Sequence, residues 1–472
     1  MEDLNTIIDR AVQNGAAYCD ARFVINKEED IAVRNGSPEK VLSKIDQGYG
    51  VRVLYEGAWG FAAGQDPESV ARTAVKVAKA SALAKKEKEG IILAENTPHI
   101  GTWETPVKKD PFSIPIQEKI ALLMDCGTHM LGHTDIKVTQ ATMRCRMQEK
   151  FFVSSEGSDL HQTQVFCGAG IGCFAVRGSE MQKRSYPTSF GGDFSQRGYE
   201  FIESLNLPDH TEDVVTTAIA LLDAPDCPSG KKDIVLDSAQ LALQVHESCG
   251  HPTELDRVLG YEASYAGTSF LTTEKLGAFR YGSPHVTIVA DSTSPGGLGT
   301  FGYDDEGVKA CRTTLVNKGI FSGYLTSRET AVHLGQKSNG AMRAMGFNNM
   351  PIIRMTNINL MPGDFSFEEL IEDVKDGIYM ETNKSWSIDD RRLNFQFGCE
   401  VGHLIEHGKV THIIKNPTYT ALTPEFWGAC DAVGKDWHLW GVPNCGKGEP
   451  PQTMWVGHGT APARYRSIQV GV

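Results

Sequence analysis

An α+β fold rich in antiparallel sheet is what the sequence predicts, on three observations. Strand-like alternation broken by an Asn35-Gly36 turn dominates the N-terminal region. Helical periodicity appears in separate stretches, several with their own capping residues. The second half reads mostly as strands around one helix that carries a dense cluster of chemical residues.

Residues 3–14 set Leu4, Ile7, Ile8, Ala11 and Val12 on a 3.6-residue stripe and stop at Gly15, which predicts a helix. CDARFVI, DIAVRNGSPEK and GYGVRVLYEGAWGFAAG then predict antiparallel strands joined by hairpins. Asp66-Pro67-Glu68 opens a second helix, with proline in the first turn. KKEKEG and GTWETPVKKDPFSIP, rich in charge and proline, read as linker. IQEKIALLMDCGTHML is helical, and DIKVTQATMRCRM to FAVRGSEMQ is β, with a turn at 156–159. HTEDVVTTAIALLDA is helical again. DAPDCPSGKKD, 223–233, is the main break, and Lys231 and Lys232 read as solvated linker. Beyond it DIVLD predicts a strand and Ser238 a cap for the helix AQLALQVHESCG, with TELDRVLGYE continuing as helix. HVTIVAD, VKACRTTLV, IFSGYLTS and PIIRMTNINL predict strands, and Ser366 and Glu369 form a capping box for SFEELIEDVKDG. The expected organisation is an N-terminal α+β lobe over 1–100, a linker over 101–115, a central β-rich lobe with helices over 116–225 and a β-rich C-terminal domain over 226–472.

The chain of 472 residues is 40% hydrophobic and 22% charged, enough to bury a sizeable core. A net charge of −13 argues against nucleic acid as a main partner. The N-terminus lacks a basic stretch followed by an apolar one, and no run reaches the about 18 apolar residues of a spanning helix. A soluble cytoplasmic protein is expected. Eleven cysteines without C-x-x-C pairs read as reduced thiols, most of them core residues.

HESCGHP, 246–252, resembles the H-E-x-x-H zinc signature with one residue added. Residues five apart on an α-helix lie about 140° apart, so His246 and His251 converge only if the backbone distorts between them. Gly250 relaxes the backbone there, Pro252 disfavours the α region at His251, and a π-type bulge or a helix end at 249–251 swings the second ring round. A catalytic zinc keeps three protein ligands and an open position. The other histidines, Glu254, Asp256, Glu262 and the remaining cysteines are candidates for the third; Cys445, in the glycine-rich PNCGKGEP, is one of them. Zinc lowers the pKa of water and polarises a carbonyl, and Glu247 is of the type that accepts the proton and passes it to a leaving amine. Peptide hydrolysis is the reaction this chemistry points to.

At these residues the chain resembles the TldD/PmbA metallopeptidases, on the TldD side. HESCGHPTELDRVLGYEASYAGTSF is similar to the family's H-E-x-x-x-H helix and the segment after it. PGGLGTFGYDDEG, Arg354 to Asn357 (RMTN), Cys445 to Gly448 (CGKG) and the N-terminal GYGVRVLYEGAWGFAA resemble further landmarks, from about residue 18 to the C-terminus. The resemblance implies one zinc ion held by His246, His251 and Cys445, Glu247 as general base, and peptides or unfolded segments as substrate. It also implies pairing with a TldE/PmbA-like subunit, which lacks the metal motif, or with further copies of the chain. Extended peptide bound partly by backbone pairing to an exposed strand is the mode the β-rich domain suggests. The rivals are a non-catalytic peptide-binding subunit with a structural four-ligand zinc, a zinc hydrolase of non-peptide substrates, and a nucleotide-dependent enzyme built on GLGTFG.

GLGTFG, 297–302, fits G-x-G-x-x-G, but YDDEGVKACRTTLV after it reads as turn and strand, with no helix end for a pyrophosphate. A glycine-rich wall beside an extended peptide fits it better. His403, Glu406, His407 and His412 read as an exposed hairpin rather than a second metal site. SNGAMRAMGFNN, 338–349, fits a mobile substrate loop and a plain surface loop equally.

Overall fold

The structure is a computed structural model that describes residues 2–85 and 90–472. Positions 86–89, within the KKEKEG segment expected as linker, lie outside the described residues. The protein is α+β, as expected, and its sheets are mainly antiparallel.

One eight-stranded sheet occupies the first half, in the order Ala58–Gly64, Ser37–Tyr55, Tyr18–Arg34, Ile136–Ser154, Asp159–Arg177, Ile100–Glu104; Glu180–Tyr186 and Asp193–Ser195 pair along Asp159–Arg177. Asn35 and Gly36, at φ 50° and 70°, turn the first hairpin with the left-handed pair of residues such a turn requires. The expected N-terminal and central lobes are thus joined through one hydrogen-bonded ladder, with Tyr18–Arg34 beside Ile136–Ser154. Within 101–115, expected as a linker, residues 101–104 belong to the same sheet. Ile100–Glu104 pairs in parallel with residues 159–163, a partner too distant for local composition to reveal. Helix Pro67–Ala84 is capped by Asp66, whose side chain accepts from the Ser69 N–H, and it packs with Glu2–Gln13 over Ala21, Val51 and Val53. Helices Ile116–Met130 and Thr211–Asp223 cover a second apolar cluster around Met143, Cys167 and Ile171.

In the second half, five strands form a closed ring of pairings. Asp376–Ile388 pairs in parallel with Gly230–Leu236, which is followed by Ala463–Val470, Thr418–Leu422 and Asn394–Glu406; the last returns to Asp376–Ile388. Lys231 and Lys232 therefore lie in a strand, not a linker, and Lys232 pairs with Asp376. Phe395, Phe397, Tyr419 and Tyr465 share their core with Leu241, Val245 and Cys249 of the motif helix. Every residue from Ala239 to Val245 is buried, which fits a helix packed on all sides. Gln240 and Gln244 tolerate this burial by bonding the Tyr419 hydroxyl, each at 2.9 Å.

A small sheet (Ile320–Phe321, Arg312–Asn317, Ile288–Asp291, Ile358–Leu360) and the hairpin His438–Lys447/Gln452–Thr460 complete this half. The capping box of Ser366 and Glu369 is present, on a helix that spans Phe367–Glu372. Residues 338–349 are not a plain surface loop. Ala341, Met342, Arg343, Ala344 and Phe347 are buried, Arg146 donates to the Met345 carbonyl at 2.8 Å, and Phe347 rests on Gly48 of the N-terminal sheet. All eleven cysteines are free. No described helix is long and apolar enough to cross a membrane.

Candidate metal centre

The motif helix begins at Asp237, whose side chain accepts from the Gln240 N–H at 2.8 Å. Ser238, expected as the cap, instead donates to the Thr460 carbonyl. The α-helix runs Ser238–Val245 and passes into a π-turn over His246–Gly250, closed by the His251 N–H on the His246 carbonyl five residues back. A 3₁₀ turn, His251–Thr253, follows. TELDRVLGYE does not continue as one helix; only Leu255–Val258 is helical.

The π-turn alone makes the bend. Gly250 stays within the right-handed helical region open to any residue, φ −69° and ψ −68°, and His251 stays helical at −58° and −43° despite Pro252. The expected backbone relaxation at glycine and displacement by proline are therefore not used. Gly250 is needed for space: a Cβ there would lie 2.2 Å from the Met355 sulfur. The carbonyls that the altered turn frees find side-chain donors. Thr253 Oγ1 donates to Cys249 O and Gly250 O, and Tyr281 OH donates to Ser248 O.

The result is convergence. One ligand atom each from His246, His251 and Cys445 lie within 4.8 Å of one another, the only such cluster found among the described residues. The imidazole centroids are 4.9 Å apart and nearly perpendicular. Cys445 is not in a loop. It sits in strand His438–Lys447 beside an irregularity in the pairing with Gln452–Thr460, and its Sγ is 3.8 Å from His251 Nε2. Glu254, Asp256 and Glu262 stay outside the cluster. Glu254 accepts from His251 Nδ1 at 2.9 Å, Asp256 pairs with the buried Lys447 at 2.8 Å, and Glu262 accepts from the Gly448 N–H.

The electrostatics suit a cation. Burial pushes His246 and His251 below the usual imidazole range, which keeps them neutral. Burial alone would raise the Cys445 thiol, but the Arg354 guanidinium outweighs it and the thiol falls below its ordinary value. Arg354 is fixed there by donating to the Cys445 and Gln452 carbonyls. The 3.8 Å from Nε2 to Sγ is close to the about 3.5 Å edge expected between nitrogen and sulfur ligands of a tetrahedral zinc. The donor set thus fits a zinc ion.

Two further side chains carry no signal in the sequence that ties them to the motif. Arg392, at the tip of a hairpin with φ 63°, donates to Glu247 Oε2 at 2.6 Å. His458 is fully buried with its Nε2 2.8 Å from His246 Nδ1, and burial with the neighbouring His246 holds it well below the usual imidazole range.

Two of the other landmarks, RMTN and PGGLGTFG, pack against each other. Asn357 accepts from the Gly299 N–H at 2.9 Å, and a Cβ on Gly297 would lie 2.3 Å from the same Asn357 oxygen. GLGTFG is therefore a packing surface for Asn357, and no helix follows it. His403 bonds Glu381 at 3.5 Å, while His407 and His412 are exposed on the hairpin.

Three segments match descriptions of one family: PmbA/TldA metallopeptidase domain 1 over 19–82, its central domain over 109–222 and its C-terminal domain over 229–470. A metalloprotease of Methanocaldococcus jannaschii is 33% identical over 94% of each chain. A zinc metalloprotease TldD homologue of Saccharolobus solfataricus is 24% identical over 98% of each. The crystal structure of TldE from Thermococcus kodakarensis has the same fold, with a TM-score of 0.76 over all of both chains at 15% identity.

Proposed function

The chain belongs to the TldD/PmbA metallopeptidase family, and from that premise we propose that it is a zinc-dependent peptidase with His246, His251 and Cys445 as ligands and Glu247 as general base. The observation that carries this reading is the gathering of the three donor atoms within 4.8 Å, with Glu247 adjacent in sequence to one of them. When bound, zinc supplies Lewis acidity that polarises a carbonyl and eases the ionisation of water near neutral pH. Glu247 takes a proton from the water that attacks the scissile carbonyl and delivers it to the nitrogen that leaves. Arg392 holds one carboxylate oxygen of Glu247, so the base waits in one orientation. Three protein donors, rather than the closed four of a structural zinc, support an open position for substrate. Peptides or unfolded segments are the proposed substrates. The full-length likeness to TldE supports pairing with a related subunit or a second copy.

Glu247→Gln tests the reading. Zinc content, read by elemental analysis, should match wild type, while cleavage of a peptide library should fall about 10²- to 10⁴-fold. Unchanged turnover would remove Glu247 as the base. A wild-type chain that cleaves esters but no peptide would replace the substrate class.

A further inference from the structure

We propose that His458 is a positioning residue that sets the tautomer of His246 and so presents Nε2 of that ring to the metal. The inference rests on the metal-site reading above and goes one layer outward from it. His458 Nδ1 lies 3.3 Å from the Ile358 carbonyl oxygen, which has no proton to give. In neutral His458 that nitrogen carries the proton, and Nε2 is left as an acceptor. Its partner at 2.8 Å, His246 Nδ1, is then the donor, and the lone pair of His246 falls on Nε2. The order of protons is dictated from a backbone carbonyl through two rings to the metal-facing atom. His251 reaches the same state by another route, its Nδ1 donating to the Glu254 carboxylate.

The position of His458 is over-determined. Gly457 and Gly459 flank it, and added Cβ atoms would lie 2.2 Å from the Asn357 oxygen and 1.8 Å from the Trp437 ring. Asn359 Oδ1 accepts from the Gly459 N–H at 2.8 Å. Asn357, Ile358 and Asn359 thus grip 457, 458 and 459 one for one, and the strand cannot slide without moving the imidazole.

The test compares His458→Leu, which removes the acceptor, with His458→Gln, whose side-chain carbonyl can still accept. The full chain is stripped with a chelator and titrated with Co²⁺, followed by its visible absorption. Leucine should weaken binding about 10- to 100-fold, with glutamine closer to wild type and the saturated spectrum unchanged in both. His458→Asn, with the same amide one methylene shorter, should behave as leucine does and repeats the comparison if the leucine variant does not fold. Wild-type affinity in the leucine and asparagine variants would overturn the proposal, as would a saturated spectrum showing one ligand fewer, which would make His458 a ligand. A wild-type chain that takes up neither cobalt nor zinc would instead defeat the metal-site reading on which the proposal stands.

Discussion

Cys445 is buried beside Arg354 and His251, and the Arg354 guanidinium lowers its thiol against the pull of burial. Sulfur is a ligand type that oxygen does not replace, so Cys445→Ser should lose more affinity than the about 10- to 100-fold expected for an outer partner; competition against a zinc chromophore reads it. Arg392 makes a charge-assisted bond worth about 1.5–3 kcal/mol in general terms. Arg392→Ala should therefore lower kcat about 10- to 100-fold with zinc content retained, and Arg392→Lys should recover part of it. At this scale the sequence discloses residues whose chemistry is local. His246, Glu247 and His251 stand out by spacing, whereas Cys445 is one candidate among several by its glycine-rich context and is singled out only by the family resemblance. Arg392 and His458 stay hidden, since a charged turn and a histidine between glycines are ordinary until the fold brings them 145 and 212 positions back to the motif.

Among the elements, the π-turn is the one that matters most. Gly250 faces the buried Met355 side chain, so Gly250→Ala should overpack the site at a cost of about 1–3 kcal/mol and displace His251; a lowered denaturation midpoint with weakened metal binding is the expected pair of readings. The helix start has its own titration. Burial, with Glu381 nearby, pushes the Asp237 carboxyl up to about 7, although it caps the helix. An unfolded aspartate titrates near 3.9, so the folded state holds this proton more tightly. Its contribution is present below about pH 4 and is lost as pH rises through about 7. Asp237→Asn keeps an acceptor for Gln240 without the charge, so its stability relative to wild type should improve between pH 5 and pH 8 in urea titrations. The irregular spacing of the histidines announces that the helix must distort, and of the expected means the π-type bulge is the one present, over His246–Gly250. Proline and glycine offer plausible local causes, and the tertiary environment uses neither dihedral effect.

On the scale of the whole molecule, the two halves are held by polar and aromatic contacts. Lys150 pairs with Asp305 at 2.7 Å, Arg52 with Glu306 at 3.4 Å, and Phe347 lies on the N-terminal sheet. Phe347→Ala should cost about 3–5 kcal/mol and speed proteolytic cutting within 338–349, as seen by limited digestion. The α+β class is legible from alternation and caps. The shared sheet is not, because the pairing of 100–104 with 159–163 spans a helix and a hairpin and leaves no local trace. The closed ring of strands is equally invisible, since its first and last members are separated by most of the C-terminal half.

The separation of the ligands along the chain has a consequence for synthesis. Cys445 follows His251 by 194 positions, and His458 comes later still. A copy still leaving the ribosome presents both motif imidazoles and the glutamate long before the sulfur arrives. Such a nascent polypeptide cannot assemble the proposed donor set until Cys445 has been added, 194 positions after His251.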